Sequence, residues 1–183
     1  MNMKPEIEFT PFPKMARLSR ECIITEKIDG TNASIFISDD GNVFAASRTR
    51  WITPEDDNFG FDRWVQGNKD ELLKLGPGHH FGEWWGNGIQ RGYGLKEKRF
   101  SLFNTTRWWN DLERPSCCHV VPELYRGIFS ANSVEDSISM LMHNGSQASP
   151  GFMDPEGIVV YHVAAKVGFK KTIKNDEKPK GQS

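Results

Sequence analysis

One heptapeptide constrains this chain more than any other segment: Glu26 to Asn32, with the sequence EKIDGTN. It lies between residues 23–25 and residues 33–37, two runs whose composition predicts consecutive strands. A lysine that is closely flanked by two acids and followed by glycine and small polar residues is poorly explained by packing. It is better explained as an amine nucleophile at the edge of a nucleotide pocket. K-x-D-G alone is a short motif that also occurs in exposed turns, so the rest of the chain has to decide.

Composition predicts a globular protein without a membrane segment. The 183 residues are 37% hydrophobic and 26% charged, which is enough to bury a core. No apolar run approaches the roughly 20 residues that a membrane helix needs, and residues 1–8 lack the apolar stretch of a signal peptide. Three cysteines, two of them adjacent, suit a reducing compartment rather than a disulfide framework. We therefore expect a cytoplasmic protein that does not bind membranes.

Charge and proline content distinguish the two ends of the chain. The net charge is −1, yet residues 166–180 contain six lysines and two acids. Such a segment can hold phosphate groups. Residues 1–20 are interrupted by prolines and predict an irregular lead-in. Residues 176–183 predict a flexible tail.

Hydrophobic periodicity predicts many strands and few helices. Strands are expected near 21–28, 32–38, 43–49, 79–85, 99–103, 117–124, 157–162 and 166–173. Helices are expected over 61–74 and from Ser133 to a stop at Gly145, with Ser133 and Asp136 in a capping box. These elements predict a single α+β domain over 1–183, with mostly antiparallel sheets and flanking helices.

Four further segments follow Lys27 in the chain. They are Ser47-Arg48, Phe81-Gly82-Glu83-Trp84, Glu156-Gly157-Ile158-Val159-Val160 and Phe169-Lys170-Lys171-Thr172. With the heptapeptide, this order resembles the covalent nucleotidyltransferase superfamily of polynucleotide ligases and RNA-capping enzymes. Thr31-Asn32 and the stretch Phe100-Ser101-Leu102-Phe103-Asn104 are most similar to RNA ligases of the phage and kinetoplastid-editing type. The resemblance spans residues 22–175 and implies their ATP-grasp-like nucleotidyltransferase fold.

Lys27 is the nucleophile that the resemblance implies. Its amine would attack the α-phosphate of ATP, release pyrophosphate and form a lysyl-adenylate. The attacking amine has to be uncharged, whereas a free lysine is almost entirely protonated at neutral pH. Neighbouring cations and partial burial raise the uncharged fraction, and Lys170, Lys171 and a bound Mg²⁺ or Mn²⁺ are the predicted cations. Lys170 is also predicted to stabilise the charge that develops on the α-phosphate.

The neighbours of Lys27 are predicted to bind the nucleotide. By resemblance, Glu26 lies near the adenine end. Asp29 either forms the turn beside Gly30 or takes part in catalysis. Gly30 lets the backbone approach the phosphate closely. Asn32 either donates a hydrogen bond to a phosphate or is a polar strand residue.

Arg48, Glu83 and Phe103 complete the predicted nucleotide site. A guanidinium suits a bidentate phosphate contact, so Arg48 is expected on the ribose or a phosphate, with Arg50 on the same strand face as the alternative. The resemblance assigns Glu83 to the ribose hydroxyls, from which a carboxylate can accept hydrogen bonds. Phe103 is predicted to stack on adenine, with Phe100 as the alternative.

Glu156 is the predicted metal ligand of the nucleotide site. Mg²⁺ typically takes one or two carboxylates plus substrate phosphates, so one well-placed glutamate is sufficient. The resemblance also implies two phosphate-binding lysines spaced K-x-K. This chain departs from that spacing, so Lys170 is the first choice and the second is either Lys171 or Lys174.

The resemblance implies an ATP-dependent RNA ligase reduced to its nucleotidyltransferase domain. AMP would pass from Lys27 to the 5′-phosphate of an RNA end, and a 3′-hydroxyl would then displace AMP to form a phosphodiester. Many relatives carry a second domain that grips the polynucleotide. The expected partners are therefore RNA ends, together with either a separate RNA-binding protein or the basic surface 166–180 and exposed aromatics.

Three alternatives stay open at this point. A capping guanylyltransferase would use the same lysine with GTP, and a DNA ligase of the same fold would act on DNA ends. A non-catalytic module that binds nucleic acid or nucleotide would form no covalent adduct. Competition between ATP and GTP, between RNA and DNA, and replacement of Lys27 by alanine separate these functions.

Overall fold

The computed structural model describes residues 6–178. The strands are β1 (Glu21–Lys27), β2 (Thr31–Ile37), β3 (Val43–Ser47), β4 (Gly78–Gly86), β5 (Lys98–Leu102), β6 (Cys118–Val120), β7 (Glu123–Ile128), β8 (Gly157–His162) and β9 (Val167–Thr172). The helices are α1 (Phe61–Gly67), α2 (Lys69–Leu72), α3 (Thr105–Trp108) and α4 (Ala131–Asn144), with single 3₁₀ turns at Leu73–Leu75 and Gly92–Gly94. Residues 6–20 contain no helix or strand. The rest of the predicted lead-in, 1–5, and most of the predicted tail, 179–183, lie outside the described residues.

The strands form two sheets. One has the order β7-β1-β8-β9 and its strand pairs are antiparallel. The other has the order β3-β2-β4-β5-β6, in which β5 and β6 are parallel and the other pairs are antiparallel. The predicted α+β class with mostly antiparallel sheets is confirmed.

Each sheet buries one face against helices. The five-stranded sheet packs against α1, where Ile35, Phe61 and Trp84 are almost completely buried. The four-stranded sheet packs against α4 through residues that include Ile24 and Leu141. Successive residues of a strand point to opposite faces, and the other faces of the two sheets line shared cavities. The fold therefore creates a cleft between the sheets.

Two predicted elements are wrong in detail. The helix predicted over 61–74 is broken at Asn68, whose φ of −115° is not helical, into α1, α2 and a 3₁₀ turn. The strand predicted over 117–124 is two strands, β6 and β7, which belong to different sheets. Pro122 lies between them and has no N–H for a strand ladder. Its carbonyl instead accepts a hydrogen bond from the backbone N–H of Glu26.

Helix α4 begins earlier than predicted. The Oγ atom of Ser130 accepts a hydrogen bond from the N–H of Ser133, and the Oγ atom of Ser133 accepts one from the N–H of Ser130. The capping box is therefore formed by two serines rather than by Ser133 and Asp136. The predicted stop at Gly145 is confirmed, with a positive φ of 77° that glycine adopts easily. Across residues 6–178, no helix has both the length and the apolar character needed to cross a bilayer.

Candidate active site

The cleft between the sheets gathers most of the predicted site residues. Its volume is about 610 Å³. The residues that line it are Glu26, Lys27, Ile28, Gly30, Thr31, Asn32, Ser47, Arg48, Arg50, Asn58, Glu83, Gln90, Phe103, Val159 and Lys170. Residues from both sheets and from the loops after β1 and β3 therefore meet at one place.

Lys27, the last residue of β1, directs its side chain into this cleft. β1 pairs with β8 so that Lys27 is opposite Gly157, which places Glu156 beside it. The two side chains form an ion pair with 2.6 Å between Lys27 Nζ and Glu156 Oε2. The lysine side chain is 21% exposed and that of the glutamate 8%. The fold thus presents one partly shielded amine, held by a nearly buried carboxylate.

Glu83 on β4 of the five-stranded sheet forms hydrogen bonds with the segment that follows Lys27. Its Oε1 accepts a hydrogen bond from the Gly30 N–H at 3.0 Å, and its Oε2 accepts one from the Asn32 amide at 3.1 Å. Burial raises the pKa of Glu83 to about 7, with nearby Glu156 acting in the same direction and Lys27 and the two hydrogen bonds opposing it. Each carboxylate oxygen keeps a lone pair that can accept from a ligand hydroxyl.

The buried carboxylate of Glu83 should make stability depend on pH. An exposed glutamate has a pKa of about 4.3, so the folded protein holds this proton more tightly than the unfolded chain does. The resulting stabilisation is complete below about pH 4 and is lost as the pH rises through about 7. Relative to Glu83→Gln, the wild type should lose about 2 to 3 kcal/mol of unfolding free energy between about pH 5 and about pH 8. Urea denaturation across this range measures the difference.

The control for this prediction is Glu113→Gln, which changes an exposed glutamate. This variant should follow the wild-type dependence of unfolding free energy on pH. If the Glu83→Gln curve ran parallel to the wild-type curve, burial of the Glu83 carboxylate would not be the cause of the pH dependence.

Gly30 is required because the backbone of the nucleophile segment approaches β4 closely. A β-carbon at this position would lie 2.4 Å from the carbonyl oxygen of Trp84 and 2.7 Å from Cβ of Trp85. Both residues belong to a central strand of a close-packed sheet, which cannot move aside freely. We expect Gly30→Ala to lower the unfolding free energy by about 2 to 3 kcal/mol, measured by chemical denaturation.

Gly67→Ala is the matched control for the Gly30 prediction. Gly67 is the last residue of α1, and a β-carbon there would meet no atom within 4 Å. Alanine is favoured over glycine in a helix by up to about 1 kcal/mol, so this variant should be at least as stable as the wild type. Equal unfolding free energies for the two alanine variants would contradict the packing explanation.

Glu26 borders the cleft but turns its carboxylate away from it. The carboxylate accepts hydrogen bonds from Ser146 Oγ at 2.6 Å and from the backbone N–H groups of Gln147 and Ala148 at 2.8 and 3.0 Å. Burial raises the pKa of Glu26, and these hydrogen bonds act in the opposite direction. Glu26 thereby fastens the strand that carries Lys27 to the segment after α4. Contact between Glu26 and the nucleotide stays a prediction.

Asp29 is held by contacts that sequence reasoning missed. Its carboxylate pairs with Arg91, with 2.7 Å between Asp29 Oδ2 and Arg91 Nη1, and its N–H donates to the Tyr93 hydroxyl at 2.8 Å. Arg91 also lies 3.4 Å from Asp154 on the loop before β8. Asp29 does not line the cleft, so the structure places it at the turn beside Gly30. A catalytic role for Asp29 stays a prediction.

Two cationic side chains face the cleft unpaired. Arg48 and Lys170 line it, and within residues 6–178 neither side chain makes an ion pair or a hydrogen bond. Arg50 also lines the cleft, but its guanidinium lies 2.7 Å from a carboxylate oxygen of Asp56. Uncommitted cations on a concave surface attract anions such as a phosphate chain. This difference favours Arg48 over Arg50 for the predicted phosphate contact.

The structure does not bring the second predicted lysine into the cleft. Lys171 follows Lys170 in β9 and therefore points to the opposite face of the sheet. It is opposite Ile158, which is buried beneath α4, and its Nζ lies 3.7 Å from Asp176. Lys174 forms a 2.7 Å ion pair with an aspartate of the loop before β8. Phosphate contacts by Lys171 or Lys174 stay predictions, and the cleft itself supplies neither.

Phe103 is the aromatic side chain that the cleft exposes. It is 42% exposed and lines both the cleft and an adjoining, mainly apolar cavity of about 410 Å³. Val159 lines the same two spaces from the opposite sheet. The alternative, Phe100, is wrong because it is fully buried in the core beneath α1. Strand alternation from Gly157 would have identified Val159, which sequence reasoning missed.

Glu156 fits the predicted metal site without a preformed cage. Residues 6–178 contain no group of three or more His, Cys, Asp or Glu side chains placed to hold a metal ion. Mg²⁺ and similar hard cations do not need one, because they take one or two carboxylates and complete their shell with waters and substrate phosphates. Glu156 lies beside Lys27 at the edge of the cleft, which Arg48 and Lys170 also face. Its carboxylate is therefore a suitable ligand for a divalent cation that also binds the phosphates of a nucleotide.

A model of the RNA ligase family matches residues 20–175. The chain belongs to this family. The matched range includes every residue that lines the cleft of this family member. A search of curated protein sequences found no significant match.

Solved structures of an RNA ligase from Naegleria gruberi have a similar fold. Two variants with ATP and Mn have TM-scores of 0.66 and 0.61 and are 19% and 21% identical in sequence to this chain. Each of these matches covers 86% of this chain and 51% of the ligase. A variant with AMP and Mn has a TM-score of 0.63 and 19% identity, and the match covers 85% of this chain and 50% of that one. The predicted nucleotidyltransferase fold is confirmed. This chain spans about half the length of the Naegleria ligase.

Proposed function

We propose that this chain is an ATP-dependent RNA ligase that works through a lysyl-adenylate on Lys27. The observation that carries the proposal is the position of Lys27 Nζ, 2.6 Å from Glu156 in the cleft that Arg48 and Lys170 face. An amine, acidic groups, unpaired cations and an aromatic ring converge there, which suits a nucleoside triphosphate. Membership of the RNA ligase family supports RNA ends as substrates. The structures of the Naegleria ligase with ATP or AMP support ATP as the nucleotide.

The side chains around the cleft suggest how ATP lies in it. Adenine would occupy the space between Phe103 and Val159, which approach from opposite sheets. The ribose hydroxyls would donate to Glu83, a nearly buried acceptor. The phosphates would then extend toward Arg48 and Lys170, which have no competing partner among the described residues. This orientation brings the α-phosphate to the amine of Lys27.

In the first step, Lys27 Nζ attacks the α-phosphorus of ATP. A nitrogen–phosphorus bond forms, the bond to the bridging oxygen breaks, and pyrophosphate leaves with the electron pair. Attack requires a neutral amine, so the ion pair with Glu156 has to open and Lys27 has to lose a proton to water. Lys170 and Arg48 stabilise the phosphate charge during transfer. A divalent cation held by Glu156 would supply further positive charge at the phosphates.

The two later steps exchange one bond to phosphorus for another. An oxygen of the RNA 5′-phosphate attacks the adenylate phosphorus, and the Lys27 nitrogen leaves with its bonding electrons. The RNA 3′-hydroxyl then attacks the 5′-phosphate, loses its proton, and AMP leaves. Either a separate RNA-binding protein or the chain's own basic surface and exposed aromatics would add affinity for the ends, since the cleft itself is of a size suited to one nucleotide.

Labelling from ATP tests this function. The wild-type protein is incubated with a divalent cation and ATP labelled at the α-phosphate, and then separated by denaturing electrophoresis. We expect a labelled band at the mass of the chain that disappears when pyrophosphate is added. We also expect the protein to join RNA strands that carry a 5′-phosphate and a 3′-hydroxyl.

Labelling from GTP and joining of DNA ends decide between the proposed function and the alternative functions. Label from GTP but not from ATP would identify a capping guanylyltransferase. Joining of DNA ends in preference to RNA ends would identify a DNA ligase. Absence of label from both nucleotides would contradict the proposal and leave a non-catalytic binding module.

A further inference from the structure

Five ring-bearing side chains form a continuous patch on the five-stranded sheet, beside the cleft. We call this patch the aromatic platform, and it consists of Phe36, Phe44, Trp51, His79 and Phe81. The contacting rings have centroids between 4.6 and 6.4 Å apart, which is within the range of favourable aromatic contacts. The nucleotide site described above leaves the whole platform without a role.

The platform continues the rows of residues that form the candidate active site. On the cleft face of the sheet, Asn32 of β2 is opposite Glu83 of β4. Phe81 lies two residues from Glu83 on the same face, and His79, opposite Phe36, lies two residues further. Because two strand residues span about 7 Å, the platform begins one such step from Glu83. A strand of nucleic acid that leaves the cleft in this direction would cross the platform directly.

Four of the five rings of the platform are exposed to solvent, and Phe36 is partly buried between them. Phe44, Trp51 and Phe81 are 47%, 55% and 59% exposed. Single exposed apolar residues are ordinary, but a contiguous exposed patch of large aromatic rings marks a binding surface. The patch lies on the cleft-facing side of the sheet rather than on the side covered by α1. Its position therefore indicates a ligand shared with the cleft.

Positive charge lies where the platform meets the cleft. After β3 the chain turns back at residues 47–50, and Trp51 forms an isolated bridge with Ala46. Arg48 and Arg50 on this turn line both the cleft and a shallow depression of about 340 Å³ that Trp51, His79 and Phe81 also line. Cations that track a phosphate backbone, next to aromatic rings on which bases stack, are the recurring features of sites for single-stranded nucleic acid.

We propose that the aromatic platform binds unpaired bases of the RNA strand whose end enters the cleft. The proposal rests on the proposed function, because it takes RNA as the substrate. Trp51 and its neighbours stack on the bases, while Arg48, whose guanidinium is not engaged by Asp56 as that of Arg50 is, holds the phosphates between the platform and the cleft. Every base offers a face for stacking, so the platform accepts ends of any sequence.

Binding of two matched oligonucleotides tests the platform. One is a short single-stranded RNA with a fluorescent label, and the other is the same strand with abasic residues in place of its nucleotides. Affinities are measured by fluorescence anisotropy at one fixed salt concentration, because phosphate contacts depend on salt. We expect Trp51→Ala to weaken binding of the normal RNA on the order of 10-fold, since loss of one stacking aromatic typically weakens binding by about 5- to 160-fold. Binding of the abasic strand should not change.

Two further variants show whether a ring at this position is the cause. Trp51→Phe keeps an aromatic ring and should recover most of the affinity for the normal RNA. Trp109→Ala removes a tryptophan that is 73% exposed beside β6, at the opposite edge of the sheet, and should bind like the wild type. If Trp51→Ala bound normal RNA as tightly as Trp109→Ala does, the proposal would be overturned. Equal weakening of the normal and abasic strands would also overturn it.

Labelling from ATP separates failure of this proposal from failure of the proposed function. Formation of the lysyl-adenylate requires no RNA, so the same preparations of wild type and Trp51→Ala are tested for it. An adenylylated protein whose RNA affinity does not depend on Trp51 would retain the ligase function and contradict the platform. If Trp51→Ala changed the oligomeric state of the protein and not its RNA affinity, the platform would instead be a contact between copies of the chain.

Discussion

Lys27→Ala should abolish the transfer of label from ATP to the protein. The alanine variant keeps the cleft and the unpaired cations but lacks the amine that forms the bond to phosphorus. We expect the labelling rate to fall on the order of 10³-fold or more, as is usual when a covalent nucleophile is removed. Lys27→Arg should be equally inactive, because a guanidinium stays protonated and is a poor nucleophile. Denaturing electrophoresis after incubation with ATP labelled at the α-phosphate measures both variants.

Lys74→Ala is the control for the nucleophile. Lys74 is an exposed lysine in the 3₁₀ turn Leu73–Leu75, where it forms an ion pair with Glu71 of α2. It lies outside the cleft. It should be labelled at the wild-type rate. Label that persisted in Lys27→Ala would show that another side chain carries the adenylate, and Lys27 would then be a binding residue. Binding of ATP without label by the Lys27 variants, measured by calorimetry, would show that the cleft is intact.

Much of the candidate site could be predicted from the sequence because its parts are local. Lys27 and Gly30 lie in one short segment, and the glycine leaves space that no other residue could leave against β4. Strand alternation is also local. It places Lys170 on one face of β9 and Lys171 on the other once the pairing with β8 is known. The choice between Lys171 and Lys174 as the second phosphate-binding lysine was made without this register and stays a prediction.

The parts that the sequence did not predict depend on contacts between distant segments. Glu26 is fastened by Ser146, 120 residues away in the chain, and Asp29 by Arg91, 62 residues away. Each side chain has a plausible local role as a neighbour of the nucleophile, and no pattern near it indicates the distant partner. The aromatic platform also depends on contacts between segments that are distant in the chain. Trp51 meets Phe36 and His79 through the chain reversal after β3 and the pairing of β2 with β4.

Glu156→Gln should slow formation of the lysyl-adenylate on the order of 100-fold. The substitution conserves shape but removes the negative charge that pairs with Lys27 across 2.6 Å. Two consequences are expected. The amine loses the partner that positions it in the cleft, and a divalent cation loses its predicted carboxylate ligand. A variant that lost the metal ligand should need a higher concentration of Mg²⁺ or Mn²⁺ for half of its maximal rate.

Rates measured over a range of divalent cation concentrations separate these two consequences. If Glu156 acts through the metal, the cation concentration at half-maximal rate should rise several-fold in Glu156→Gln. If it acts by positioning Lys27 alone, the maximal rate should fall and that concentration should stay as in the wild type. Glu123→Gln, which makes the same chemical change in an ion pair with Arg126 on β7, should alter neither quantity. A wild-type labelling rate in Glu156→Gln would contradict both roles, because the carboxylate in contact with the nucleophile would then have no part in the reaction.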